Sequence, residues 1–407
     1  MNKRKIYLYV VPFFPSQSSW RGGFFLDAVK ALIRDGRFDV RVMVRSGGKD
    51  YEIDGIHVYC FERCGLGCSD YFNSVTDFVK VRQFHMKLME MGVPYKDVAV
   101  CHVHLLERMS IYSTWIKRKN PRCVTLIHHH LTGENDLGYE KFPWIPFVKG
   151  IQYLRLRHDF ELADMHIFCS RQAEAAYSRF CRDKNLAQMI ELRKQLAFPW
   201  MYRNFKFKRS YVLYNGYDSR LFHEKHERTA SGVWRVGCVG NFTESKSQIT
   251  LIRAFQRVRA QMAGAEVIFV GSGKMLQACI DCAKSGSGDS CIAFHREMPH
   301  ESLPSFYQSL DLYVLPSYWE AFNCSLVEAW ACGVPCMAAD AISFKEVLPV
   351  TEQAKWLFPE KDERGLAERL LWAYKNRPPR QTLVKNLDID EQTRIFLCHL
   401  QEVFPEL

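Results

Sequence analysis

Two glutamates, one lysine and a set of histidines are the residues of this chain whose types and spacing invite chemistry. Glu320 and Glu328 stand eight positions apart in LPSYWEAFNCSLVEAWACGVPC, residues 315–336, with a Phe-Asn-Cys-Ser turn between them. A helix beginning near Asn323 would aim its free backbone N–H groups and positive dipole end at a phosphate or at sugar hydroxyls. Glu320 would hang over that site, and Glu328 would reach back to accept from two vicinal hydroxyls of a ribose. His102, His104 and the triplet His128 to His130 carry imidazoles able to bind metal, but no carboxylate or cysteine sits at a helical ligand spacing beside them. The pattern therefore predicts strand-end histidines in a polar cleft, and no metal. Cys60, Cys64 and Cys68, and Cys279 with Cys282, lack the second half of a zinc knuckle and read as packing thiols.

These residues need elements to hold them, and the pattern alternates strand and helix. The chain opens with KIYLYVVPFF, a β-rich run, then a loop with Gly22-Gly23, then FFLDAVKALIRDG at helical spacing up to Gly36. FDVRVMV, DVAVCHVHL, CVTLIHH and ADMHIFCS read as further strands, with helices such as SIYSTWIKRK and RQAEAAYSRF among them. After YVLYNGYDSRLF the alternation restarts through WRVGCVGNF, AEVIFVGSG, CIAFH and LDLYVLPS, with helices expected near 247–262, 274–283, 303–309 and 324–331. The fold class is α/β, with two Rossmann-like doubly wound domains facing a cleft, since open parallel sheets bind ligands at the carboxyl ends of their strands. The expected division is 1–224, 225–386, and a tail helix over 387–407 that can pack back on the first domain.

Composition narrows the classes. The 407 residues are 47% hydrophobic and 25% charged, an ordinary globular balance for two to three domains. No run approaches the ~18 to 20 apolar residues of a bilayer crossing, and Pro12 and Pro15 come too early for a secretory leader. Fifteen cysteines, an odd number spread over strands and helices, read as reduced thiols and a cytoplasmic setting. Residues 1–224 hold 35 Lys+Arg against 23 Asp+Glu, a balance of +12, whereas 225–407 hold 20 against 22, or −2. The first half thus faces an anionic partner or simply gains solubility. Residues 184–209 hold seven basic residues against Glu191, interleaved with Phe198, Trp200, Tyr202, Phe205 and Phe207. That mixture suits peripheral contact with the inner face of a membrane, or an ordinary surface segment with its rings in the core. No recognition module for nucleic acid accompanies it.

The E-A-F-N-x-x-x-x-E-A-W-A-C-G-V-P stretch resembles the E-x7-E signature of the retaining, GT-B-type "glycosyl transferases group 1" family. Val239-Gly240-Asn241 with Lys246 is similar to that family's glycine turn and phosphate-binding lysine, and Val270 to Gly273 to its V-G-x-G strand end. Tyr214 to Asp218, through Phe222, is similar to its N-G-x-D-x-x-x-F linker. Gly22-Gly23, Asp97 with His102, Thr125 with His128, and Ala163-Asp164 with Ser170 fall at its landmarks in its order. Asn241 stands where the family often has Arg, and Ile342-Ser343 where it usually has Gly-Gly before Glu346.

The resemblance implies transfer of a sugar from a UDP- or GDP-sugar to a glycan or lipid-linked acceptor. It further implies retained anomeric configuration, no cofactor and no metal, and a place in surface polysaccharide assembly. The absence of an Asp-x-Asp element at any strand end agrees with metal-independent transfer. Glu320 and Lys246 are implied at the reacting centre, with His128 reaching over it. Gly22, Gly23, Asn241, Gly271, Phe322, Asn323, Cys324 and Glu328 are implied around the donor. A sugar-nucleotide epimerase or phosphorylase of the same fold, and a non-catalytic subunit that binds nucleotide-sugar, stand as alternatives.

Overall fold

The structure, a computed structural model, describes residues 4–16, 19, 22–61, 73–130, 146–182, 205–224, 232–286, 289–340 and 343–407. The chain forms two compact units, Met1–Tyr214 with Gln392–Leu407, and Asn215–Glu391. The division falls before residue 224 because the linker packs on the second unit. Phe222 is fully buried against His300 and Tyr307, and Tyr217 pairs with Asp388.

In unit 1 the strands are β1 (Ile6–Val11), β2 (Asp39–Val44), β3 (Tyr51–Ile53), β4 (Ile56–Cys60), β5 (Val98–His104), β6 (Val124–His129), β7 (Met165–Phe168) and β8 (Ser210–Val212). They lie in the order β3-β4-β2-β1-β5-β6-β7-β8. All neighbours are parallel except β3 and β4. Every residue of β1 is buried, as a central parallel strand covered on both faces requires. The β3–β4 hairpin turns on Asp54 and Gly55, at φ 49° and 73°, the paired positive values of a type I′ turn. Helix α1 (Gly23–Asp35) starts behind Gly22 and stops at Gly36, both left-handed. It presses Phe25, Leu26, Val29 and Leu32 into a core shared with β1 and β2. Next come α2 (Asn73–Glu90), α3 (Leu106–Lys119), α4 (Pro146–Leu162) and α5 (Arg171–Arg182).

Unit 2 holds β9 (Trp234–Val239), β10 (Ala265–Val270), β11 (Ile292–His295), β12 (Leu312–Leu315), β13 (Cys336–Ala339) and β14 (Leu357–Phe358). Their order is β11-β10-β9-β12-β13-β14, parallel throughout. Its helices are α6 (Gln248–Val258), α7 (Leu276–Lys284), α8 (Leu303–Gln308), α9 (Cys324–Ala331), α10 (Val350–Trp356) and α11 (Glu363–Asn376). Helix α12 (Ile389–Val403) begins in unit 2 and continues into unit 1, where Phe396, Leu397 and Leu400, with Phe404 just beyond, join the core of α1. Among the described residues no helix is long and apolar enough to cross a membrane.

Candidate active site

In unit 2 the direction of winding reverses between β9 and β12, and the loops leaving those two strands carry the candidate residues. At such a switch point adjacent loops diverge and leave room for a ligand. From β9 the chain runs through Gly240 and Asn241 into a short turn, Glu244–Lys246, before α6. From β12 it runs through Ser317 to Glu320 and into α9. Tyr318 donates its N–H to the Ser245 carbonyl at 3.0 Å, tying the two loops together. The Lys246 ammonium and the Glu320 carboxylate meet in an ion pair, with side chains 21% and 13% exposed.

Asn323 locks the second loop. Its Oδ1 accepts from the Leu326 N–H at 3.1 Å and from the Ser325 hydroxyl at 2.7 Å, while its Nδ2 donates to Glu320 at 3.3 Å. Asn323 is thus the N-cap of α9 and a positioning group for Glu320. Ser325, its one proton on Asn323, accepts from the Tyr313 hydroxyl at 2.6 Å, and both hydroxyl oxygens lie 3.1 Å from the Val239 carbonyl at the end of β9. Tyr313 carried no sequence signal, because its role depends on strand adjacency, and Ser325 was visible only as the last residue of the Phe-Asn-Cys-Ser turn.

The glycines behave as close-approach residues. Gly271 has φ 147°, and a Cβ there would fall on the Gly240 carbonyl oxygen; one on Gly273, at φ 145°, would fall on the Phe242 backbone. Gly240 donates to Val270 O at 3.0 Å and Phe242 to Ser272 O at 2.7 Å, so the two glycine turns lie backbone on backbone. Asn241 is exposed beside them. Phe322 is 8% exposed and Cys324 half-buried at the start of α9.

Glu328 makes a different contact. It is 7% exposed and its Oε2 accepts from the Tyr307 hydroxyl at 2.9 Å. Burial raises its carboxyl from 4.5 to about 7, with the Tyr307 hydrogen bond opposing that rise. The structure therefore brings Lys246, Glu320 and Asn323 together and gives Glu328 its own buried partner on α8.

In unit 1, Gly22 sits at φ 91° against the Phe13 and Phe25 rings, and Gly23 opens α1. His128 is 4% exposed, and burial pushes its imidazole well below the ordinary range, so it is neutral. Thr125 donates to Asp164 at 2.9 Å and Ser170 accepts from the Ala173 N–H at 3.0 Å. Those two family landmarks bind strand to crossover and cap α5. Of the basic, aromatic segment, 184–204 lie outside the described residues; Phe205 and Phe207 pack their rings near Phe160, at 5.2 and 6.1 Å. Cys64, Cys68 and Ile342 also lie outside the described residues, whereas Cys60 and Cys279 are buried thiols raised by burial.

A model of the family described as "Glycosyl transferases group 1" matches residues 220–388. The lipopolysaccharide core biosynthesis mannosyltransferase LpsB of Rhizobium meliloti is 42% identical over 66 residues, 16% of this chain and 18% of that protein. The amylovoran biosynthesis glycosyltransferase AmsK of Erwinia amylovora is 25% identical over 143 residues, 34% of this chain and 35% of that protein. These curated relatives are matched over about a third of their length or less. Anabaena HepE, solved in complex with UDP and glucose, superposes with a TM-score of 0.65 at 16% identity, over 99% of this chain and 100% of that one. Sucrose-phosphate synthase of Thermosynechococcus elongatus gives 0.65 at 16% identity, over 98% and 96%. At such identities the likeness is one of fold, the two-domain GT-B fold. Residues 220–388, which span the second sheet and the Lys246–Glu320 pair, are the part of the chain that matches the group 1 glycosyltransferases.

Proposed function

We propose that this protein moves a sugar from a nucleoside-diphosphate sugar to a glycan or lipid-linked acceptor, with retention of anomeric configuration. The observation that carries the reading is the meeting of Lys246 and Glu320 at the switch point of unit 2, beside the capped start of α9. As the sugar leaves, negative charge grows on the departing phosphate oxygen and positive charge on the anomeric carbon. An ammonium and a helix N-terminus serve the first, and a carboxylate serves the second.

The ion pair sets the order of events. An incoming diphosphate competes for Lys246, and the released Glu320 carboxylate, still held by Asn323, turns to the sugar hydroxyls. The bond between anomeric carbon and β-phosphate oxygen breaks as the acceptor oxygen bonds to that carbon on the same face. The acceptor proton passes to the leaving phosphate. Glu328, when ionised, holds the ribose. Unit 1 receives the acceptor, and the net +12 of residues 1–224 suits an anionic or membrane-borne one. The relatives' names point to cell-surface glycans as the setting, and UDP-sugars head the donor panel because HepE was solved with UDP-glucose.

The test is transfer by wild type, Lys246→Ala and Glu320→Gln with a panel of UDP- and GDP-sugars. Each substitution removes charge stabilisation made in the transition state, so kcat should fall by about 10²- to 10³-fold. Full transfer by either variant overturns the assignment, and donor turnover to an epimerised sugar without acceptor overturns the reaction class.

A further inference from the structure

We propose that His102, His104 and His128 bind one divalent transition-metal cation of the zinc class inside unit 1. Lys246 and Glu320 belong to the other unit, and metal uptake is read without any transfer assay, so its outcome is distinguishable from that of the transfer reading although the resemblance sets His128 over the reacting centre. Sequence spacing alone predicts unliganded strand-end histidines; strand register supplies the third ring. His102 and His104 are two apart on β5 and so share one face of the sheet. His128 on β6 lies directly beside His104 in the parallel ladder. One ligand nitrogen from each of the three falls within 4.8 Å of the others.

The hydrogen bonding around these rings is lopsided. The Tyr7 hydroxyl meets His102 Nδ1 at 2.7 Å, and His130 Nε2 meets His104 Nδ1 at 2.8 Å. The opposite nitrogens, His102 Nε2 and His104 Nε2, are buried with no hydrogen-bond partner, and so are both nitrogens of His128. The three residues are 2%, 1% and 4% exposed. Buried polar atoms nearly always have a partner, and a group of orphans in one place asks for an ion or an ordered water. Outer partners on one ring nitrogen, leaving the other free, are also what ligating histidines use to fix tautomer and aim.

The donor set selects the cation. Three imidazoles suit zinc and its neighbours, whereas calcium and magnesium require oxygen ligands. Zn–N bonds of ~2.0–2.1 Å draw the rings inward and turn them out of their present stack, in which His102 and His128 are 5° from parallel at 5.4 Å. Neutral ligands leave the charge of the ion uncompensated, so water, hydroxide or an anion completes the fourth position. The Tyr9 and Phe25 rings, 4.3 and 5.0 Å from His104, form an apolar wall beside it.

The experiment titrates chelator-treated, full-length protein with cobalt(II) and follows the visible d–d bands of a tetrahedral site, with back-titration by zinc(II). The expected result is one equivalent bound without a thiolate-to-cobalt charge-transfer band, which separates this site from the 15 cysteines. His102→Gln and His128→Gln should abolish that uptake. Tyr7→Phe, which keeps all three ligands and removes one outer partner, should weaken affinity about 10- to 100-fold. Folded wild-type protein that takes up no stoichiometric cobalt or zinc overturns the proposal without recourse to any variant. So does uptake through thiolates, or uptake unchanged in folded His102→Gln and His128→Gln proteins.

Discussion

Glu328 is the residue at which stability and donor binding pull in opposite directions. Its carboxyl is raised from the ordinary 4.5 to about 7 by burial. Between those values the folded chain keeps a proton that the unfolded chain gives up. Stability therefore falls as pH climbs from about 4.5 to about 7 and stays lower above, by about 3 kcal/mol. Glu328→Gln removes the titration while keeping an acceptor for Tyr307. Denaturant unfolding should show the variant more stable than wild type above pH 7, with the difference gone near pH 4; a constant difference across pH would contradict the assignment. A ribose, however, is best held by the ionised form, so donor affinity in wild type should rise through pH 7 and stay low and flat in the variant. The position of Glu328 on its helix follows from E-x7-E spacing, but its hydrogen bond to Tyr307 does not. The two are 21 positions apart and meet only because α8 packs beside α9.

Among the elements, α9 was the most legible, since the expected start near Asn323 and end at Ala331 match the helix Cys324–Ala331 with its Asn323 cap. The β3–β4 hairpin escaped notice although Asp54-Gly55 is a strong turn signal, because three- and five-residue strands show too little alternation. Strands β13 and β14 and helices α10 and α11 were also passed over: four buried residues and then two give no period to read. The expected tail helix over 387–407 had no residue assigned to any core, and the structure puts Phe396 and Leu400 of α12 in the core of unit 1. Leu400 is fully buried there. Leu400→Ala should cost about 2–5 kcal/mol. Hydrogen exchange should then quicken in β1, β2 and α1 while β9 to β13 keep their protection. Equal loss in both units would mean that α12 is not an element of unit 1 in the sense described.

For the molecule as a whole, the charge asymmetry between residues 1–224 and 225–407 has a measurable consequence. Exposed Phe78 and Met86 on α2, 77% and 59% exposed, stand near exposed Arg82 on the same basic half. With ~1 kcal/mol from each Lys or Arg near an anionic surface, the intact protein should sediment with phosphatidylserine vesicles at low salt and release as salt rises. Phe78→Glu should weaken that binding, and indifference to lipid charge would contradict it. At this scale the two α/β units were legible from alternating strands and helices, and the resemblance implied Lys246 and Glu320 at one centre; the direct ion pair between them, 74 positions apart, became visible only once β9 lay beside β12. That pairing is also what the functional account rests on. A crystal structure of the protein with an intact UDP-sugar tests it most directly. The account predicts the diphosphate on the Lys246 ammonium, Glu320 turned to the sugar hydroxyls and the ribose at Glu328. A donor bound elsewhere, with the Lys246–Glu320 ion pair undisturbed, would contradict it.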